Sequence, residues 1–331
     1  MAAKPGRISA QLGGHVGYAV ALLAGSVLAM TTNPAGSAPF GQLITAMVTP
    51  MTPDGAVDYD GAARLADYLV TGMRNDGLVI NGTTGEAPTT TDAEQLRLLR
   101  VVLDAVGGRA SVVAGVGTNA TAHTIELAQQ AEQAGVHGLL VVAPYYNKPP
   151  QPALAAHFSA VADATGLPVL IYDIPGRTGI AVASQTLISL AAHPRIVGVK
   201  DAKDDPAATS AVLAETDLAY YCGTDMLNLP WLSLGAVGFV SVVGHVAGDR
   251  LREMIDAYGT GDVARAREIH YGLLPVYTGL FRNQGAVMTK AALDLQGLPG
   301  GAVRAPLLAA TSDERARLAA DLTEGGVKVS G

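Results

Sequence analysis

Lys200 stands at the end of the apolar run Ile196-Val197-Gly198-Val199. A buried strand disfavours an ammonium and favours the neutral amine, which attacks ketones. A strand-end lysine can also snorkel to solvent, so the residues at other strand ends must decide between the two. Those ends carry Thr49, the turn Gly82-Thr83-Thr84-Gly85-Glu86, the loop Tyr145-Tyr146-Asn147, the segment Tyr172 to Arg177, and Gly223-Thr224-Asp225. The set holds a lysine, several phenols and hydroxyls and an arginine, and it lacks paired carboxylates or clustered histidines. It suits imine chemistry: lysine forms a Schiff base with a keto acid, tyrosine moves protons, and the amides of a Gly-Thr-Thr-Gly turn hold a carboxylate. Each residue alone has a plainer role as cap, surface aromatic or loop charge. Their joint occurrence at successive strand ends carries the inference.

Two other patterns are set aside. Gly115-Val116-Gly117-Thr118-Asn119-Ala120 fits a loose dinucleotide fingerprint, but it falls in the third repeat and no acidic residue ends the next strand. His123, His137, His157, His193, His245 and His270 are scattered without metal-ligand spacing, so surface or packing roles are expected of most of them.

The scaffold must bring all these strand ends to one side. From Leu43 onward, short apolar runs alternate with helical patterns, and the candidate strands are 43–48, 77–81, 111–114, 138–143, 168–172, 196–200, 218–222 and 237–242. Residues 60–74, 91–105 and 120–134 have apolar residues at helical spacing, with Thr91 or Asp92 as N-cap before Glu94. Residues 249–258 supply the eighth helix, and 262–295 and 312–322 read as further helices packed on the barrel. A doubly wound open sheet would alternate in the same way, but eight repeats in one unbroken series suit closure. The expected fold is therefore α/β, a (β/α)8 TIM barrel over residues 41–258, followed by a C-terminal helical region at 259–331 and preceded by an extension at 1–40.

Composition agrees with a small-molecule enzyme. The chain has 331 residues, 49% hydrophobic and 15% charged, with a net charge of −7 and no Lys/Arg run, which leaves no footprint for nucleic acid or an anionic membrane. One cysteine, Cys222, excludes an intrachain disulfide and a cysteine metal cage, and it suits a reducing, cytoplasmic setting. The N-terminus argues the other way: Lys4 and Arg7 precede the apolar stretch 16–30 and a small-residue segment, the layout of a secretory signal. The favoured expectation is translation from Met30.

Four segments taken together, Gly82 to Glu86, Pro144-Tyr145-Tyr146-Asn147-Lys148-Pro149, Tyr172 to Gly179 and Val197 to Ala202, resemble the class I aldolases of the dihydrodipicolinate synthase and N-acetylneuraminate lyase family. The resemblance covers about residues 41–325, with the motifs in order and at compatible spacings. The double threonine, the Tyr-Tyr-Asn-Lys-Pro loop and Arg177 are similar to the branch that condenses pyruvate with L-aspartate 4-semialdehyde in lysine and diaminopimelate synthesis, rather than to the sugar-acid lyases. It implies an imine between Lys200 and pyruvate, with Thr84 on the pyruvate carboxylate. Tyr172, Thr83 and Tyr146 would form a proton relay, with Tyr146 reaching in from a neighbouring subunit of a homotetramer. Arg177 would orient the semialdehyde carboxylate, Val240 would offer a backbone carbonyl, and no metal or organic cofactor is needed. Thr224 and Gly176 depart from the family pattern, where an acidic residue and a serine are common.

The resemblance also implies an inter-subunit cleft for the end product, lysine, at positions matching Asp92, Gln95, Asn119, His123 and Tyr145. His123 replaces the carboxylate that would meet lysine's ammonium, so weak or absent feedback is expected unless Asp92 reaches the same cleft. Two alternatives remain: a pyruvate-dependent aldolase for another aldehyde, for which Arg177 is the test residue, and an exported binding protein on the same barrel, which would have no use for Lys200.

Overall fold

The computed structural model describes Met1 and residues 37–329, so the apolar stretch 16–30 and the expectation attached to it lie outside the described residues. Eight parallel strands close into a barrel in chain order: β1 (Leu43–Ala46), β2 (Gly77–Ile80), β3 (Ser111–Gly115), β4 (Gly138–Val142), β5 (Val169–Asp173), β6 (Ile196–Asp201), β7 (Ala219–Cys222) and β8 (Gly238–Ser241). The closing pair sets Leu43 against Phe239 and Ile44 against Val240. The open-sheet alternative is thereby removed.

The strands read as continuous apolar runs because both faces are buried. Ile44, Ala46, Val79, Val113, Leu140, Leu170, Tyr172, Ala219, Tyr221 and Val240 form the barrel interior, while Leu43, Leu78, Val112, Val141, Ile171, Val199 and Phe239 join the larger core under the helices. Gly198 is needed between them, since a Cβ there would lie 2.2 Å from the Ala219 carbonyl oxygen.

The surrounding helices are α1 (Tyr59–Thr71), α2 (Asp92–Val106), α3 (Thr121–Ala134), α4 (Gln151–Asp163), the single turn α5 (Pro175–Thr178), α6 (Ser184–Leu190), α7 (Pro206–Glu215), α8 (Asn228–Leu234) and α9 (Gly244–Gly259). Thr91 rather than Asp92 caps α2, in a reciprocal capping box with Glu94. The eighth helix begins at Gly244, earlier than its apolar pattern suggests, and is kinked at Ala247 (φ −143°, ψ 32°).

Beyond the barrel lie α10 (Val263–Gly272), α11 (Leu274–Phe281), α12 (Gly285–Leu295) and α13 (Ser312–Glu324). After α12 the chain returns to the barrel mouth, where Gly301 bridges Met51 in the first βα-loop. Among the described residues no helix is long and apolar enough to cross a membrane.

Candidate active site

Strands β5 and β6 pair in a register that sets Tyr172 beside Lys200 and Asp173 beside Asp201. Lys200 Nζ lies 4.1 Å from the centroid of the Tyr172 ring, and the two residues are 4% and 5% exposed. The lysine is thus held in a largely dry site, against a phenol. Gly223, at the end of β7, keeps the space beside it open: a Cβ there would stand 3.2 Å from Lys200 Cγ and Cε and 2.8 Å from the Asp201 carbonyl oxygen.

The turn after β2 is wound tightly. Gly85 N–H donates to the Gly82 carbonyl (3.1 Å) and Glu86 N–H to that of Thr83 (3.2 Å), while Thr49 Oγ1 donates to the Gly85 carbonyl at 2.7 Å. The amides of Thr83 and Thr84 have no acceptor among the described residues. Two adjacent N–H groups left without an internal acceptor are what an anion-binding turn requires.

Above the barrel opens a cavity of about 400 Å³ whose lining includes Thr83, Tyr172, Ile174, Arg177, Tyr145, Asn119 and His123. Thr83, Tyr172 and Arg177 therefore meet in one space. Lys200, Thr84 and Val240 do not line it: Lys200 sits against the Tyr172 ring below the cavity, Thr84 is buried in the turn, and Val240 belongs to the barrel interior. The Arg177 side chain, on exposed α5, makes no hydrogen bond or ion pair to the described residues, and Gly176 beside it has nothing within 4 Å of a Cβ position. Glycine in place of serine there costs a hydroxyl and relieves no clash. Thr224, the other departure, donates to Asp204 Oδ1 at 2.7 Å and ties two loops of the mouth together.

Tyr146 does not join this set within the chain. It is 88% exposed at φ +71°, a conformation that costs a non-glycine residue energy. The loop is held from below by Asn147, whose Nδ2 donates to the Asn119 carbonyl at 2.6 Å.

Two carboxylates went unremarked in the motifs. Asp173 and Asp201 follow Tyr172 and Lys200 directly and turn to the helix side. Asp201 accepts from Thr209 Oγ1 (2.8 Å) and Lys203 N–H (2.9 Å). Asp173 accepts from Val182 N–H (3.1 Å) and has Lys203 Nζ at 3.5 Å; burial pushes its carboxyl up to about 6 against those opposing effects. Their place one residue beyond the two strand-end motif residues was the available signal.

The histidines take local roles. His245, fully buried, accepts from Val48 N–H (3.1 Å) and pairs through Nδ1 with the Val242 carbonyl (2.7 Å), which stitches the ends of β1 and β8; burial pulls it down to about 4, so it is neutral at pH 7. His123 Nε2 lies 3.0 Å from Asp92 Oδ2, and both line the cavity with Gln95, Asn119 and Tyr145. Asp92 thus lines the same cavity as His123.

Comparison with known proteins agrees with this geometry. The dihydrodipicolinate synthetase family matches residues 39–325. The 4-hydroxy-tetrahydrodipicolinate synthase of Acidothermus cellulolyticus is 65% identical over 289 residues, covering 87% of this chain and 94% of that one. The 4-hydroxy-tetrahydrodipicolinate synthase 2 of Streptomyces coelicolor is 60% identical over 302 residues, 91% of this chain and all (100%) of its own. Among solved structures, that of the enzyme from Cyanidioschyzon merolae with lysine bound superposes with a TM-score of 0.86 at 40% identity, covering 88% of this chain and 99% of its own. With its barrel, its strand-end residues and these relatives in agreement, the chain belongs to the dihydrodipicolinate synthetase family.

Proposed function

We propose that this chain is a Schiff-base-forming lyase that condenses pyruvate with L-aspartate 4-semialdehyde, with Lys200 as the covalent catalyst. The observation that carries the reading is Lys200 Nζ held 4.1 Å from the Tyr172 ring, beneath a cavity that also holds Thr83 and Arg177. The neutral amine attacks the pyruvate ketone and water leaves, forming the imine. The imine withdraws electrons, so the pyruvate methyl gives up a proton and becomes an enamine carbon. That carbon attacks the semialdehyde, and the substrate's own amine then displaces Lys200 by cyclising.

Thr84 and the free amides of the Thr83–Thr84 turn hold the pyruvate carboxylate, while Tyr172 and Thr83 carry protons. Tyr146 completes the relay in a neighbouring subunit of a homotetramer, which accounts for a tyrosine that is 88% exposed on its own chain. Arg177 grips the semialdehyde carboxylate with its planar, two-pronged guanidinium, and Val240 offers a backbone carbonyl from the barrel interior. The reading needs no metal or organic cofactor, and the single cysteine fits a cytoplasmic enzyme.

Borohydride reduction in the presence of pyruvate, followed by peptide mass mapping, tests the reading. A reduced pyruvyl group on Lys200 is expected, and labelling at another lysine would overturn it.

A further inference from the structure

Glu86 closes the carboxylate-holding turn, yet its side chain points away from the cavity into the C-terminal helices. It is 3% exposed and its backbone is in the left-handed region at φ +57°, so the tertiary structure must hold it there. Its Oε1 accepts from Lys290 Nζ at 2.5 Å and its Oε2 from the Arg304 amide at 2.9 Å. Lys290, on α12, is itself 2% exposed and also donates to the Ala302 carbonyl at 2.6 Å. Burial lowers the Lys290 ammonium from its usual range and Glu86 works against that shift. Arg304 extends the brace: its guanidinium is bidentate on Glu94 of α2 (2.9 and 2.6 Å) and donates to the Thr89 carbonyl just past the turn (2.7 Å).

A buried ion pair is a poor general stabiliser, because desolvation offsets most of the attraction. What this pair does is hold one residue in an unfavourable conformation, two positions from the free amide of Thr84. We propose that Glu86 and Lys290 are positioning residues, whose ion pair fixes the Thr83–Thr84 amides for the pyruvate carboxylate and so makes the C-terminal helices part of first-substrate binding. This rests on the reading of that turn given above. Arg177, on α5, makes no hydrogen bond or ion pair to Glu86 or Lys290.

The test is Glu86→Gln, together with the double variant Glu86→Gln/Lys290→Met, which leaves no buried charge unpaired if the single change does not fold. Small misplacements of a binding group are costly, so the KM for pyruvate should rise about 10-fold or more in each folded variant. The KM for the semialdehyde should stay within about twofold, and borohydride should still label Lys200 once pyruvate is raised to saturation. An unchanged pyruvate KM, an equal rise for both substrates, or failure of both variants to fold would each overturn the proposal. Absence of Lys200 labelling in the unmodified enzyme would instead refute the catalytic reading on which it rests.

Discussion

Replacing Tyr172 by phenylalanine removes one oxygen and keeps the ring against which Lys200 Nζ lies at 4.1 Å. The hydroxyl bonds to no described residue and the side chain lines the cavity, so the change leaves no buried partner unsatisfied and the protein should fold normally. Lys200 keeps its burial and packing, and the imine with pyruvate should therefore still form. What is lost is the proton carrier for dehydrating the first adduct and for moving protons through the enamine. General acid–base catalysis contributes about 10²- to 10⁴-fold, so kcat should fall by that factor, equivalent to about 3–5 kcal/mol of barrier. Steady-state turnover with both substrates measures the loss, and borohydride trapping at long times checks that Lys200 is still labelled. Turnover within about threefold of the unmodified enzyme would remove Tyr172 from the relay, because no rearrangement elsewhere could supply so large an effect.

Arg177→Ala should raise the KM for L-aspartate 4-semialdehyde about 10- to 100-fold, the worth of about 1.5–3 kcal/mol for a charge-assisted partner, while imine formation with pyruvate stays near normal; steady-state titration of each substrate separates the two. Asp173, held near 6 by burial, binds its proton more tightly folded than unfolded, so its own contribution falls as pH rises from about 4 to about 6. His157 and His245, each held near 4 by burial, act in the opposite sense, and stability is lost as pH falls from about 6.5 to about 4. In Asp173→Asn that offset disappears, making the drop between pH 6 and pH 4 larger by about 2 kcal/mol than in the unmodified protein; urea denaturation at both pH values measures it, and identical drops would refute the assignment. Inhibition by millimolar lysine should be weak, because the carboxylate that Asp92 brings to the cleft is engaged by His123 at 3.0 Å. His123→Glu should strengthen it, and sub-millimolar inhibition of the unmodified enzyme in a steady-state assay would contradict this view.

The pattern that names the chemistry is local. Lys200 after its apolar run, the Gly82–Glu86 turn, Tyr145-Tyr146 and the Tyr172–Arg177 segment each stand at a strand end, and strand ends are visible as the points where apolar runs stop. Eight such runs in series were enough to expect closure, because parallel strands joined by helices bury both faces. Element limits were less visible. β5 and β6 run on to Asp173 and Asp201, whose carboxylates meet Val182, Lys203 and Thr209, partners that no pattern within the strands announces.

The partners of buried polar groups were decided only by tertiary structure. Glu86 reads in sequence as the end of a turn motif, and Lys290 as one polar residue in an apolar helix, yet they meet across 204 positions. His245, one of several scattered histidines, joins the backbone of Val48 across 197 positions. Local propensity determines where a chain turns and which face is apolar. Barrel closure and the return of the C-terminal segment to the barrel mouth determine which buried donor finds which acceptor, because an unpaired buried polar group is too costly to leave and its partner can come from anywhere along the chain.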